Sequence, residues 1–191
     1  MTSQSVPPSV ITDPPIAHAL FSDVRWAWIW LIVRVYVGWQ WLSEGFDKVS
    51  SPVWGGAHAG TALTGWLTGS FAKAAGAHPD VQGWYVVFLK DVVLPHAAFW
   101  SVLVSYGELF VGLGLILGLF TGIAAFFGTA MNASYLLGGT VSINPMLFAF
   151  ASLLVLAWKT AGWWGLDRFV LPKLGTPWQR GAAPTLQSKT I

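Results

Sequence analysis

A mostly apolar stretch near the start of the chain, residues 26–48, carries an arginine in its interior. Roughly 20 apolar residues are enough for a helix to cross a bilayer. A charged side chain at the centre of such a helix costs about 2.5–3.5 kcal/mol on insertion scales, so Arg34 needs a partner. The stretch therefore predicts a membrane-spanning helix whose arginine contacts a polar group elsewhere in the fold.

The composition supports a membrane protein and excludes several kinds of site. Hydrophobic residues make up 54% of the 191 positions and charged residues 9%, whereas soluble proteins average about 25% charged residues. The net charge of +2 forms no basic patch, so we expect no nucleic-acid partner. There is no cysteine, which excludes disulfides, iron–sulfur clusters and c-type haem attachment in this chain. The four histidines are scattered, so we expect no metal site.

The apolar segments predict an all-α fold, namely a polytopic membrane four-helix bundle. The predicted spans cover residues 26–47, 96–117, 123–137 and 144–160. The fourth span has a clear start, because Asn144 suits a cap position and Pro145 suits the first helical position.

The first two spans are joined by a long external connection, residues 48–95, that is too polar to cross a membrane. Apolar residues recur at helical spacing over 63–71 and again over 81–94, which predicts extra interfacial helices. Pro95 is expected to end the second of them. Outside the 26–174 domain, residues 1–25 and 175–191 are predicted to be flexible cytoplasmic tails, with a short surface helix over 16–24.

Basic residues set the predicted orientation. With four spans, both termini share one side of the membrane. That side carries Arg25, Lys159, Arg168, Lys173, Arg180 and Lys189, and the other carries Lys48, Lys73 and Lys90. The positive-inside rule then predicts a multi-pass cell-membrane protein with both termini in the cytoplasm.

The predicted partner of Arg34 is Glu108. At about 1.5 Å per residue, Arg34 lies about 12 Å, Glu108 about 15 Å and Asn132 about 14 Å from the cytoplasmic edge. These three side chains are therefore expected in one buried layer. The ionic pair either fixes the helix register or binds a ligand, and both interpretations stay open. On this basis we expect Arg34→Ala to be more damaging than Lys48→Ala.

A second polar group lies nearer the outside. Gln40, Glu44 and Lys48 are spaced i, i+4, i+8 and so share a helix face. Glu44 lies a turn inside the helix beside Trp41, which makes it a candidate for ligand binding. Lys48 is interpreted as part of a helix end that meets water.

Three segments, taken in order, carry a shared signature. RVYVGWQWLSEGFDKV contains Arg34, Gly38, Gly45 and Lys48; GELFVGLGLILGLFTGIAA begins with Glu108 and its glycines; WWGLDRFVLP follows near the end. Together they resemble the DoxX family of membrane proteins over about residues 26–174. The long external connection is most similar to the DoxD branch, which includes the large subunit of thiosulfate:quinone oxidoreductase.

The resemblance implies a membrane subunit that passes electrons from a small anionic sulfur compound, such as thiosulfate, to quinone. It also implies a protein partner on the extracytoplasmic side. The residues themselves predict no metal or haem held by this chain. The catalytic residues are then Glu108 and Arg34. The quinone-binding residues are Arg34, Glu108, Asn132, Gln40, Glu44 and Trp41. Two alternatives stay open: a non-catalytic membrane anchor of a larger redox complex, and a small transporter, for which no inverted repeat is evident.

Overall fold

A computed structural model describes residues 13–175, and every regular element in that range is helical. The α-helices are α1 (Pro15–Ser22), α2 (Ala27–Ser50), α3 (Thr61–Lys73), α4 (Gly83–Phe88), α5 (Ala97–Leu117), α6 (Thr121–Leu137), α7 (Asn144–Leu156), α8 (Trp158–Ala161) and α9 (Asp167–Val170). The all-α prediction is confirmed for this part of the chain. The outer parts of the two predicted tails, residues 1–12 and 176–191, lie outside the described residues.

The short α1 lies where the sequence predicts a surface helix. Pro15 occupies its first turn, where a missing N–H costs nothing. The Trp30 indole N–H donates a hydrogen bond to the Leu20 carbonyl at 2.6 Å, and its ring stacks on Phe21 with centroids 5.6 Å apart. These contacts hold α1 against the start of α2.

Pro95 does not end the helix that precedes it. The helical path runs unbroken from Gly83 to Leu117. It passes from α4 through a π-helical turn, Leu89–Val93, and a 3-10 turn, Leu94–His96, into α5. Proline is tolerated in the first turn of a helical segment, where its missing N–H breaks no hydrogen bond. The change to a 3-10 turn at Leu94 makes Pro95 part of such a first turn.

Length and hydropathy separate the helices into two classes. Among the described residues, Gly83–Leu117 is long and apolar enough to cross a membrane, and Pro15–Ser22 with Val24–Ser50, bent by 62°, passes the same test if counted as one span. With 17 and 13 residues, α6 and α7 are about 26 and 20 Å long. A hydrocarbon core is about 30 Å thick, so the four predicted crossings stay a prediction.

The four helices α2, α5, α6 and α7 surround one apolar core. Helix α2 packs along α5, α5 contacts α6, α6 packs along α7, and α7 returns to α2. The buried side chains of this core are Trp30, Val37, Trp41, Val111, Leu115, Ala124, Ala125, Leu147, Ala151, Leu154, Ala157 and Ala161.

A second, smaller core lies over one end of these helices. It is formed by α3, α4 and the π-helical turn, which we call the cap. Hydrogen bonds tie the cap to the end of α6: the Ser70 hydroxyl donates to the Gly138 carbonyl at 2.9 Å, and the Tyr85 hydroxyl donates to the Ser134 carbonyl at 3.0 Å. The cap therefore covers the end of the molecule where α2 ends and α5 begins.

Candidate functional site

A buried carboxylate joins three helices. Glu108, on α5, is 0% exposed. The Lys48 Nζ at the end of α2 donates to Glu108 Oε2 at 2.6 Å, and the Tyr135 hydroxyl on α6 donates to Oε1. We call Lys48, Glu108 and Tyr135 the carboxylate cluster.

Aromatic rings enclose the lysine of this cluster. The Lys48 side chain is only 16% exposed, and its Nζ lies 5.4 Å from the ring centroid of Trp54 and 5.8 Å from that of Tyr135. Such positions favour a cation. A second carboxylate, Glu44, lies 3.7 Å from the same nitrogen. The prediction that Lys48 meets water at a helix end is therefore wrong.

Two glycines bring α2 close enough to α5 for this ion pair to form. A Cβ added at Gly45 would lie 2.7 Å from the Leu109 Cα, and one added at Gly112 would lie 2.5 Å from the Leu42 Cα. Small residues permit such close backbone approach in membrane helices. Because Gly45 sits against Leu109, the lysine one turn later reaches Glu108.

The carboxylate cluster lies on the wall of a cavity of about 960 Å³. This volume is within the range of about 300–1,000 Å³ that small-molecule sites occupy. Most of the wall is apolar or aromatic, with contributions from the cap and from the helices below it. The predicted residues on it are Gln40, Trp41, Glu44 and Glu108. Gln40, Glu44 and Lys48 thus share one helix face, as their spacing predicts.

Arg34 does not lie at this site. Its guanidinium is 1% exposed and donates from Nη2 to the Trp164 carbonyl at 3.1 Å. A Cβ at Gly118 or at Gly165 would overlap the guanidinium. At about 1.5 Å per residue, the positions from Glu108 to Gly118 span about 15 Å along α5. The predicted pair of Arg34 with Glu108 is therefore wrong.

The helix register explains this error. A Cβ at Gly38 would lie 3.0 Å from the backbone nitrogen of Ile116, and Gly45 faces Leu109. In that register the residue of α5 that faces Arg34 lies near Gly118. The depth estimate assumed that the ends of the first two spans lie level, but α2 extends past the end of α5, and the segment around Trp164 packs there.

An acidic residue completes the surroundings of the arginine. Asp167 is 0% exposed and accepts hydrogen bonds from the backbone N–H groups of Phe120 at 2.6 Å and Thr121 at 2.9 Å. These N–H groups open α6 and need such an acceptor. The Asp167 backbone N–H donates at 2.7 Å to the carbonyl of Gly118, the residue against which the Arg34 guanidinium packs. We call Arg34, Trp164 and Asp167 the arginine site.

The third member of the predicted layer, Asn132, is fully buried. It lies three residues before Tyr135, so its level on α6 is close to that of Glu108. Within residues 13–175, neither polar atom of its side chain makes a hydrogen bond. Asn132 does not belong to the described lining of the cavity, so it does not face the space beside the carboxylate cluster.

Sequence reasoning missed Tyr135 and Trp54. Tyr135 lies in the last turns of the predicted third span, on the same side of the membrane as the end of the first, so topology alone could have placed it near Lys48. Trp54 follows Lys48 by six residues, in the external connection. Within residues 13–175, no three His, Asp or Glu side chains are grouped so that they could hold a metal ion.

Comparison with known protein families adds an independent finding. The model of the DoxX family matches residues 29–137, which is more than half of the chain. The match contains all three residues of the carboxylate cluster. No curated protein and no solved structure gave a significant match. DoxX proteins are membrane-associated and linked to oxidoreductase-type function. The chain therefore belongs to the DoxX family of membrane proteins.

Proposed function

We propose that this chain is a membrane subunit of a quinone-linked oxidoreductase, and that the quinone ring binds beside the carboxylate cluster. One observation carries the proposal. A lysine, a carboxyl group and a phenol converge at one point on the wall of a cavity that is otherwise mostly apolar. An apolar cavity with a few convergent polar groups is the usual form of a small-molecule site.

The walls of the cavity suit a flat aromatic ligand. Trp41 stacks on Tyr135 with ring centroids 6.4 Å apart, and Trp66 meets Tyr135 edge-on at 6.2 Å. Trp54 and Trp66 also line the cavity. Rings of this kind favour offset-stacked or edge-to-face contacts with another ring.

The polar groups of the cluster can perform the steps that quinone reduction requires. Lys48 can donate a hydrogen bond to a carbonyl oxygen on which negative charge develops. Glu108 and the Tyr135 hydroxyl share a hydrogen bond. Both groups can exchange a proton with a quinone oxygen bound beside them. The other predicted residues, Gln40 and Glu44, line the same cavity and can orient the ring.

The electron donor in this proposal is a reduced sulfur anion such as thiosulfate, as in the DoxD-type subunits that the chain resembles. Oxidation of two thiosulfate ions to tetrathionate releases two electrons, and quinone takes them up with two protons to give quinol. Because the chain has no cysteine, a partner subunit on the outer face is proposed to bring the donor to the quinone.

The proposed membrane arrangement has four crossings, by α2, α5, α6 and α7, with both termini in the cytoplasm. Helices α6 and α7 are short, but they share one core with α2 and α5. Arg25, Lys159 and Arg168 belong to segments at the end of the molecule where the arginine site lies. Placing that end in the cytoplasm satisfies the positive-inside rule and puts the cap outside.

The test is an assay of the purified protein with thiosulfate and a soluble quinone. We expect Glu108→Gln to lower the rate of quinone reduction by about 10²–10⁴-fold, as loss of a proton-transferring group does. The matched control is Asp47→Asn, an exposed carboxyl group on the same helix as Lys48. Unchanged turnover of the native complex with Glu108→Gln would refute the proposal and favour a non-catalytic anchor.

A further inference from the structure

The cavity continues as a groove along α5 and α6, away from the cap. The α5 residues on its wall recur at helical spacing along one face: Leu103, Gly107, Phe110, Gly114 and Leu117. The α6 residues on its wall are Ile123, Phe127, Ala130, Met131 and Ser134. Nearly all of these side chains are apolar. We call this surface the α5–α6 groove.

The groove begins directly beside the carboxylate cluster. Gly107 precedes Glu108 in the chain, and a Cβ at Gly107 would lie 3.5 Å from the Met131 sulfur. Met131 in turn lies one helical turn before Tyr135. The two residues that face each other across the groove are therefore the neighbours of two members of the cluster, and one cavity contains both.

The groove is open to the side and covered at its outer end. Phe110 is 64% exposed and Phe127 is 56% exposed, so the groove faces the lipid if these helices cross the membrane. Trp66 and Tyr85, from the cap, line the other end of the cavity. A long apolar molecule can thus lie in the groove with its polar end only at the carboxylate cluster. From Gly107 to Leu117 the groove extends about 15 Å.

We propose that the α5–α6 groove binds the isoprenoid tail of the quinone. This inference rests on the proposed function, since it takes the ring to lie at the carboxylate cluster. The substrate is then a long-tailed membrane quinone that enters sideways from the bilayer, beneath the cap. A phospholipid fits less well, because its ionic headgroup would be buried beside Glu108, which is 0% exposed and lies about 16 Å from the start of α5.

The experiment compares two quinones that share one ring, a tailless soluble form and a long-tailed form, binding to protein in lipid nanodiscs. The groove-blocking variant is Ala130→Phe, at an exposed position on the groove wall. Its matched control is Ala149→Phe, at an exposed position on α7 away from the cavity. Gly107→Leu provides a second block. Partition into lipid is the same for every variant, so changes in the ratio of the two dissociation constants report on the groove.

We expect the wild type to bind the long-tailed quinone at least about tenfold more tightly than the tailless form, because the bilayer concentrates the long-tailed form and the groove wall packs against its tail. Ala130→Phe and Gly107→Leu should reduce that preference and leave the affinity for the tailless form unchanged, while Ala149→Phe should alter neither. The inference is overturned if the two blocking variants lose affinity for both quinones, or if neither variant loses affinity for either quinone. Both results leave the proposed function intact.

Two further outcomes separate the remaining possibilities. If the wild type binds neither quinone, the proposed function itself fails. If Ala130→Phe and Gly107→Leu release bound phospholipid from the purified protein without changing the ratio of the two dissociation constants, the groove is a site for acyl chains, and the tail assignment is wrong.

Discussion

The carboxylate cluster and the arginine site each bury a side chain that is normally charged, but they enclose it differently. Both Glu108 oxygens accept hydrogen bonds from side chains, and the cluster faces a large cavity. Among residues 13–175, Arg34 makes one hydrogen bond, to a backbone carbonyl, and it packs against the backbone of Gly118 and Gly165. The cluster therefore has room for a ligand, whereas the arginine site is filled by the chain itself.

The two sites also differ in what they connect. The carboxylate cluster joins the middle of α5 to the ends of α2 and α6 by side chains alone. At the arginine site, the backbone of Leu166 and Asp167 donates hydrogen bonds to the carbonyls of Leu117 and Gly118 at 3.1 and 2.7 Å. This site fastens the segment after α8 to the turn between α5 and α6. We infer that the cluster serves chemistry and that the arginine site serves assembly.

The largest expected effect on stability is that of Lys48→Met. It leaves the buried Glu108 carboxyl group without its cation, and breaking a buried ion pair in this way costs about 3–5 kcal/mol. The quinone reaction should also fall, by about 10²-fold, because the donor to the developing anion is lost. Free energies of unfolding in detergent and quinone-reduction rates measure the two effects. Lys90→Met, at an exposed position in the cap, is the control.

The double variant Lys48→Met/Glu108→Gln sharpens this prediction. Removing both charges together leaves no uncompensated ion, so much of the lost stability should return. The quinone reaction should not return, because both polar groups are gone. If the double variant stayed as unstable as Lys48→Met, the ion pair would not be the source of the instability.

Arg34→Met should have a smaller effect, and on stability alone. It removes the hydrogen bond from the buried guanidinium to the Trp164 carbonyl, and a hydrogen bond that involves a charged group is worth about 1.5–3 kcal/mol. The quinone rate per folded molecule should change little, because Arg34 lies away from the cavity. This reverses the order that the sequence led us to expect for Arg34 and Lys48. If Arg34→Met lowered the rate as much as Lys48→Met at normal stability, the arginine site would take part in the reaction, and the distinction between the two sites would be wrong.

Asp167→Asn tests the other half of the arginine site. The amide keeps one acceptor oxygen but loses the charge that stabilises the first turn of α6, which is worth about 1 kcal/mol. We expect faster hydrogen exchange at the Phe120 and Thr121 amides, with the quinone rate unchanged. Asp91→Asn, at an exposed position before α5, is the control. Unaltered exchange at both amides would show that the Asp167 charge contributes nothing to the stability of α6.

The sequence predicted the helices far better than the contacts between them. Apolar runs and the Asn144–Pro145 start located α5, α6 and α7 to within a few residues, because these signals are local. The pairing of Arg34 failed because depth depends on where each helix begins relative to its neighbour. That register is fixed by close contacts such as Gly45 against Leu109, which a count from the helix ends does not contain.

The carboxylate cluster was only partly predictable for the same reason. Glu108 stood out because a carboxyl group in an apolar helix needs a partner. Lys48 was misread because its position at a helix end suggests water. The rings that cover it come from Trp54, in the loop after α2, and from Tyr135, which is distant in the sequence. Tyr135 gave no signal of its own, since a tyrosine near a membrane interface usually marks the interface.

The smallest expected effect on stability is that of Tyr135→Phe, which removes one hydrogen bond to Glu108 and keeps the ring. Lys48 retains its aromatic neighbours and its ion pair, so stability should fall by less than about 1 kcal/mol. The quinone rate should fall roughly fivefold, equivalent to about 1 kcal/mol in the barrier. Tyr106→Phe controls for the loss of a hydroxyl group, because Tyr106 lies on the same helix as Glu108 and is 41% exposed. If Tyr135→Phe lowered the rate as much as Glu108→Gln, the phenol rather than the carboxyl group would be the proton donor, and the roles within the cluster would have to be exchanged.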